Sequence, residues 1–141
     1  MQEVVVSSLD PTRFDDVLED QQAARFSRDL KMAAEELRGH TLWHVNSTAT
    51  GGGVAEMLHS VLGYLQGGGV SVRWAVVDGG DEYFVVTKRL HNFLHGSKGD
   101  GGELGAEQRA VLMATLERQA GELRARVQPG DVVTPSSVCR R

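Results

Sequence analysis

A run of small residues between two apolar segments is the part of this sequence best suited to contact a ligand. Three consecutive glycines, Gly51, Gly52 and Gly53, follow the polar stretch 46–50. Glycine has no Cβ, so the backbone N–H groups of such a turn are open to close approach. A helix predicted from Val54 onward points its positive dipole end at the same place. This pattern favours backbone contacts with a phosphate or a sugar hydroxyl.

Two polar side chains beside the glycines extend this candidate site. Ser47 can donate a hydrogen bond to a ligand, or it can cap the turn. Glu56 falls in the first helical turn, where the helix dipole stabilises a carboxylate. The Glu56 carboxylate can also accept hydrogen bonds from a neutral sugar. The residues alone leave both interpretations open for each side chain.

A second polar group lies on the helix predicted over residues 82–94. Lys88, His91 and Asn92 are spaced by three and four positions, so they share one face of that helix. A lysine, a histidine and an asparagine together can bind a polyol or a phosphate. The alternative is an ordinary solvated helix face.

Other nucleotide-binding patterns fit this sequence less well. A P-loop needs Lys and Ser or Thr after its last glycine, whereas Val54 and Ala55 follow Gly53. The glycine pattern of dinucleotide-binding domains fits better, because Gly51 and Gly53 match its first two glycines. Asp78 also ends the second strand, about where the ribose-binding acid belongs. Glu56 replaces the third glycine of that pattern, however, and its carboxylate would repel a pyrophosphate. A dinucleotide-binding oxidoreductase is therefore kept only as an alternative.

Metal and nucleophile chemistry have no recognisable pattern here. No set of three or four histidines, cysteines and carboxylates at metal-ligand spacing can be recognised, so neither a metal site nor a resident cofactor is expected. His44 lies in an apolar run and is interpreted as a hydrogen-bonded core histidine. No nucleophile elbow can be recognised, and no catalytic residue is assigned.

The elements that must position these residues form a β-α-β unit. Strands predicted at 41–45 and 70–77 flank a helix at 54–65, and a right-handed crossover makes the strands parallel. One broad apolar stripe is expected to be buried on that helix: Val54, Met57, Leu58, Val61, Leu62 and Leu65. The expected fold is an α/β, Rossmann-like parallel sheet flanked by helices.

Further elements are expected on both sides of this unit. The predicted segments are an edge strand or mobile arm at 3–8, helices at 19–37 and 106–127, and a strand from Asp131 beside the strand at 41–45. The long helix at 106–127 is expected to turn Leu112, Leu116, Leu123 and Val127 inward.

Composition narrows the function classes. A chain of 141 residues most simply forms one domain. Its net charge of −4 and scattered basic residues argue against nucleic-acid binding. No apolar run approaches the roughly 18 residues needed to span a membrane. The single cysteine and the lack of a secretory signal predict a cytoplasmic protein.

Three stretches together resemble a known enzyme family. Residues 44–49, 51–58 and 87–92 are similar to the N-terminal signature of the retaining glycosyltransferases that make trehalose from a nucleotide-glucose and glucose. Residues 73–77 resemble that family's second strand, and the resemblance runs from about residue 5 to residue 133. It implies a GT-B architecture, in which two Rossmann-like domains face each other across a cleft. This chain would then be an incomplete N-terminal half.

The same resemblance implies roles for the candidate residues. Gly51, Gly52 and Gly53 would approach the donor diphosphate or the transferred sugar. The acceptor or cleft contacts would come from Ser47, Glu56, Lys88, His91 and Asn92. The small-molecule partners would be a nucleotide-sugar and glucose. Catalysis would come from positioning and from stabilising the leaving diphosphate, without a protein nucleophile.

The sequence departs from the family after Val133. There the family pattern continues as a buried strand ending in His-Asp-Pro-Gln, whereas residues 134–141 differ and show no periodicity. A partial domain at 1–133 and a divergent tail at 134–141, typical of a frameshift or truncated gene, are therefore expected. Such a fragment is predicted to be marginally stable, aggregation-prone and inactive in glucosyl transfer alone.

Two other functions are left open. A trehalose phosphorylase of similar architecture fits the same residues, as does a non-catalytic module that binds sugars or nucleotides. The donor nucleotide, the acceptor specificity and the oligomeric state do not follow from the sequence.

Overall fold

The structure, a computed structural model, describes residues 1–50 and 53–135. Strands and helices alternate through most of this range. In chain order they are β1 (Gln2–Val4), a 3₁₀ turn (Pro11–Phe14), α1 (Asp20–Glu36), β2 (Leu42–Asn46), α2 (Gly53–Gly67), β3 (Val72–Val76), α3 (Gly80–Leu94), α4 (Ala106–Arg124) and β4 (Val132–Pro135). The predicted β-α-β unit and the three other helices are confirmed, with ends shifted by up to three residues.

The four strands form one sheet in the order β1-β3-β2-β4. β2 is parallel to β3 on one side and to β4 on the other, which confirms the predicted place of the last strand. β1 pairs antiparallel with β3, so the expectation of an all-parallel sheet was wrong. Glu3 of β1 holds this edge through ion pairs to Arg73 (2.6 Å) and Arg126 (3.0 Å).

The strand order creates a switch point between β2 and β4. The chain passes from β2 to β3 in one direction and then returns to the opposite side of β2 to form β4. In open α/β sheets, ligands bind outside the carboxyl ends of the strands at such a point, because the two loops there diverge and leave a crevice. Helix α2 begins at Gly53, shortly after the carboxyl end of β2, so the topology brings the start of α2 to this crevice.

One face of the sheet packs against α2. Leu58 and Leu62 of the helix form the core with Trp74 and Val76 of β3. The predicted stripe was too broad, since the exposed fractions of three of its side chains are large: Val54 50%, Met57 56% and Val61 45%. Ala55 and Gly63 are buried instead. Small residues on that side let the helix approach its neighbours, and this rotates the buried face away from the larger side chains.

Gly67 is predicted to be intolerant of any side chain. A Cβ there would lie 1.8 Å from the carbonyl oxygen of Leu9, which belongs to the backbone and cannot rotate away. We expect Gly67→Ala to destabilise the fold by about 1–3 kcal/mol or more, as overpacking does. Gly121→Ala is the matched control, because its Cβ would meet nothing within 4 Å. Urea denaturation should show a loss of stability for Gly67→Ala only. Equal urea midpoints for both variants would contradict the close packing of Gly67 on Leu9.

The opposite face of the sheet carries a different kind of contact. Trp43 is buried, and the Arg73 guanidinium lies 4.5 Å from the centre of its ring. On α4 the buried residue is Gln119, whereas Leu116 is 38% exposed, so the predicted inward row of leucines was wrong there. Within the described part of the chain, no helix combines the length and apolarity needed to cross a bilayer.

Candidate functional site

The carboxyl end of β2 is held by buried polar groups. Asn46 is 3% exposed, and its Nδ2 donates a hydrogen bond of 2.8 Å to the carbonyl of Thr48. Its Oδ1 accepts a hydrogen bond of 2.8 Å from the indole Nε1 of Trp74. The backbone carbonyl of Asn46 accepts from the N–H of Val77 at 2.9 Å. The strand therefore enters the glycine turn from a fixed direction.

The residues just before the glycines form a local turn. The Thr48 hydroxyl donates to the carbonyl of Thr50 (2.5 Å) and accepts from the Thr50 N–H (3.2 Å). A threonine hydroxyl that bonds the backbone two residues on replaces the contacts of a regular turn. The chain therefore adopts an ordered conformation up to Thr50.

The glycines themselves are partly described. Gly51 and Gly52 lie outside the described residues, so their predicted contact with a donor diphosphate stays a prediction. Gly53 is the first residue of α2, and a Cβ built on it would meet nothing within 4 Å in the described part of the chain. Glu56 lies exposed in the first turn of α2, as predicted. The start of this helix is accessible to a ligand.

Ser47 and Glu56 differ in accessibility. Ser47 is 1% exposed, so its hydroxyl is closed to a ligand in this conformation. Glu56 is open to solvent beside the crevice. The two residues share one strand–turn–helix unit, but their roles as acceptor contacts stay predictions.

Lys88, His91 and Asn92 lie on α3, and their helical spacing places them on one face as predicted. Lys88 is exposed, while His91 packs against the ring of His95 with 4.4 Å between ring centres. The side chain of Asn92 packs closely on Gly99: a Cβ built on Gly99 would lie 2.2 Å from the Nδ2 atom of Asn92. Roughly 12 to 18 Å of helix separates these positions from the start of α3. No hydrogen bond links them to Ser47 or Glu56 among the described residues.

Two α4 residues that sequence reasoning missed hold the turn after β3. Gln119 Oε1 accepts from the backbone N–H of Asp78 (3.1 Å), and Arg118 donates to the Asp78 carbonyl (2.7 Å). Gln119 is 2% exposed. The signal was its position: it lies three residues after Leu116, on the predicted inward row of α4. A polar residue at such a position indicates a buried hydrogen bond.

A carboxylate fastens β4 to β2. Asp131 accepts hydrogen bonds from the backbone N–H of Thr41 (2.7 Å), the indole of Trp43 (3.1 Å) and the backbone N–H of Gln128 (2.9 Å). The backbone hydrogen bonds, first from Gln128 and then from Thr41, lower the pKa of Asp131 below its usual 3.8. This contact starts the strand that borders the crevice.

Asp131 should therefore make the fold sensitive to acid. Its pKa is lower in the folded than in the unfolded chain, so its stabilisation is present above pH 3.8 and is lost as pH falls through the folded pKa. We expect Asp131→Asn to lower stability at pH 7, because an amide N–H would face N–H donors. The difference from the parent chain should shrink toward pH 3 in urea denaturation.

Asp16→Asn provides the control for this experiment. Asp16 is exposed and makes no hydrogen bond with the described residues. Its substitution should leave the stability curve close to that of the parent chain. An Asp131 variant with parent stability at pH 7 would contradict the role of the carboxylate.

His44 belongs to β2, and its ring contacts Thr134 of the neighbouring strand β4. The Thr134 hydroxyl donates to the carbonyl of Trp43 (3.2 Å), so toward His44 Nδ1 (3.0 Å) it acts as the acceptor and the ring N–H donates. His44 Nε2 is buried and has no hydrogen-bond partner among the described residues. Burial lowers the pKa of His44. The predicted core histidine is thus hydrogen-bonded through only one of its two nitrogens.

The chemistry available at this edge is hydrogen bonding. The start of α2 is open, and Glu56 supplies an exposed carboxylate beside it. Over residues 1–50 and 53–135, the structure assembles no group of three His, Cys, Asp or Glu side chains that could hold a metal ion. The exposed carboxylate suits the hydroxyl groups of a ligand, whereas a phosphate is suited only to the backbone at the start of α2, away from the Glu56 side chain.

Comparison with protein families matches most of this chain to one family. Residues 44–135 match the model described as trehalose synthase, N-terminal domain. This match begins within β2 and covers α2, β3, α3, α4 and β4, and so includes both sides of the switch point.

Individual relatives agree with this match. The chain is 37% identical to a trehalose synthase of Rubrobacter xylanophilus over 105 aligned residues. This alignment covers 74% of this chain and 24% of the relative. Over 65 residues the chain is 51% identical to a trehalose synthase of Pyrococcus horikoshii, covering 46% of this chain and 16% of the relative. The chain therefore spans about a sixth to a quarter of the curated relatives it matches.

Proposed function

This chain belongs to the trehalose synthase N-terminal domain family, and we propose that it supplies the acceptor side of a retaining glycosyltransferase. The reaction transfers glucose from a nucleotide-glucose donor to a second glucose and forms trehalose. The proposed architecture is GT-B, with this chain forming part of the N-terminal half.

One observation carries this proposal. The family match spans β2 to β4, and the switch point lies within the same span. Ligands of open α/β sheets bind at this place for a topological reason that does not depend on the family. Sequence similarity therefore supports the family, and strand order separately supports a ligand site at this edge of the sheet.

The proposed roles follow the chemistry of the residues at that edge. The backbone of Gly51, Gly52 and Gly53 contacts the donor diphosphate or the transferred sugar, since no side chain stands in the way. Glu56 accepts hydrogen bonds from acceptor hydroxyls. Lys88, His91 and Asn92 are proposed as further cleft contacts, with Ser47 behind the turn.

Catalysis in this proposal comes from orientation. Holding donor and acceptor in a productive geometry removes an entropic barrier, and N–H donors stabilise the charge that develops on the leaving diphosphate. The relatives are four to six times longer than the span they share with this chain. We therefore expect no trehalose formation from the 141-residue polypeptide alone.

A chimera tests the proposal directly. Residues 44–135 of this chain replace the corresponding segment of the Rubrobacter xylanophilus relative, and trehalose is measured from nucleotide-glucose and glucose. We expect the chimera to form trehalose, because the family match covers this segment. The unmodified relative is the positive control, and the 141-residue chain alone is the negative one.

The other outcomes separate the alternatives. A folded chimera that binds nucleotide-glucose with saturation but makes no trehalose would favour a non-catalytic binding module. A chimera that consumes trehalose only when inorganic phosphate is added would favour a phosphorylase. Either result would overturn the proposed transfer reaction.

A further inference from the structure

Trp74 and Asn46 form a buried hydrogen bond directly beneath the proposed site. An indole N–H can only donate, so the Asn46 atom that faces Trp74 at 2.8 Å is Oδ1. This leaves Nδ2 facing the turn, where it donates to the Thr48 carbonyl at 2.8 Å. The indole therefore decides which way the Asn46 amide points.

This orientation is protected from competition by water. Trp74 is 0% exposed and Asn46 is 3% exposed. The ring of His59 on α2 packs edge-on against Trp74 with 4.7 Å between ring centres. The strand before the glycine run and the helix after it are therefore both in contact with the same indole.

The position of the Thr48 carbonyl has a consequence for the next residue. In a planar trans peptide the C=O and N–H groups point in opposite directions. Because Asn46 holds the Thr48 carbonyl inward, the N–H of Ala49 points away from Asn46. Among the described residues, this N–H donates no hydrogen bond.

We propose that Trp74 and Asn46 are positioning residues that, through the Thr48 carbonyl, turn the Ala49 N–H toward the donor diphosphate. This inference rests on the proposed function and names the part of the site that meets phosphate. Trp74 and Asn46 themselves do not touch the ligand. Their role is to hold the peptide in the orientation that a phosphate oxygen requires.

Two substitutions disturb this arrangement, Trp74→Phe with a loss of ring volume in the core and Asn46→Asp with almost unchanged shape. Trp74→Phe removes the indole N–H, and Asn46→Asp replaces the Nδ2 donor with an oxygen that repels the Thr48 carbonyl. Trp43→Phe is the matched control. It also removes a buried indole N–H, but that group bonds to Asp131 on the opposite face of the sheet.

The measurement is an NMR titration of the full 141-residue chain with inorganic pyrophosphate, followed at the Ala49 amide. We expect saturable shifts in the parent chain and an affinity about tenfold lower in Trp74→Phe and Asn46→Asp. Trp43→Phe should lose thermal stability as well but keep the parent affinity. This separates positioning from a general loss of stability.

Several results would overturn the inference. These are an Ala49 amide that does not respond to pyrophosphate in the parent chain, a Trp74→Phe affinity within twofold of the parent, or an equal loss in Trp43→Phe. If Trp74→Phe does not fold, site-specific 3-benzothienylalanine at position 74 keeps the ring shape without the N–H. Trehalose formation by the chimera tests the proposed function separately, so either idea can fail alone.

Discussion

Gly53→Ala is expected to reduce trehalose formation by the chimera about 100-fold, because a displacement of about 1 Å at a reacting centre has an effect of that size. The added methyl group would occupy space at the start of α2 that the proposal assigns to the donor. The fold itself should tolerate the change. Gly53 is part of α2, and a Cβ there meets nothing within 4 Å among the described residues.

A loss of activity without a loss of stability would make the experiment decisive. An alanine in a helix is normally neutral or favourable for stability, so lost activity cannot be attributed to unfolding. Gly121→Ala, inside α4 and equally free of contacts, is the control and should leave activity unchanged and stability equal or higher. If Gly53→Ala keeps activity within twofold of the parent chimera, the glycine turn does not approach the substrate.

Leu62→Ala is expected to have the largest effect on stability. Leu62 is 2% exposed and packs in the core with Trp74 and Val76. Deleting a buried leucine side chain costs about 2–5 kcal/mol, because it removes apolar contacts and leaves a cavity. Small domains have about 5–15 kcal/mol in total, so this variant should be substantially less stable at room temperature.

Val61→Ala is the matched control for this prediction. Val61 precedes Leu62 on α2 but is 45% exposed. Its substitution should change the free energy of unfolding by about 0.5 kcal/mol or less, as is usual at the surface. Urea denaturation of both variants decides the point: similar losses would show that α2 buries a different face from the one described.

The β-α-β unit at the centre of the site could be predicted from the sequence. Its strands, its helix and the glycine run between them follow one another along the chain, and each leaves a local signal. Hydrophobic periodicity identifies the helix, and glycines mark the turns at its ends. The placement of Glu56 in the first turn of α2 follows from the same local pattern and is confirmed.

Contacts between distant parts of the chain could not be predicted in this way. Trp74 and Asn46 are 28 residues apart, Gln119 and Asp78 are 41 apart, and Trp43 and Asp131 are 88 apart. A tryptophan in an apolar strand indicates burial, but the partner of its N–H depends on the register of the neighbouring strand. These hydrogen bonds exist only once the sheet has formed.

The sequence by itself determined the helices and the central strands, because periodicity and turn residues act over a few positions. The segment at 3–8, expected as an edge strand or a mobile arm, is part of a strand only up to Val4. The tertiary structure decided that β1 runs antiparallel at the edge and that α2 buries Ala55 and Gly63 rather than Val54 and Met57. It also brought Asp131 and Thr134 beside β2. The physical reason is that an apolar pattern defines a face, whereas the area of a neighbouring element and how closely it can approach decide which side chains are covered.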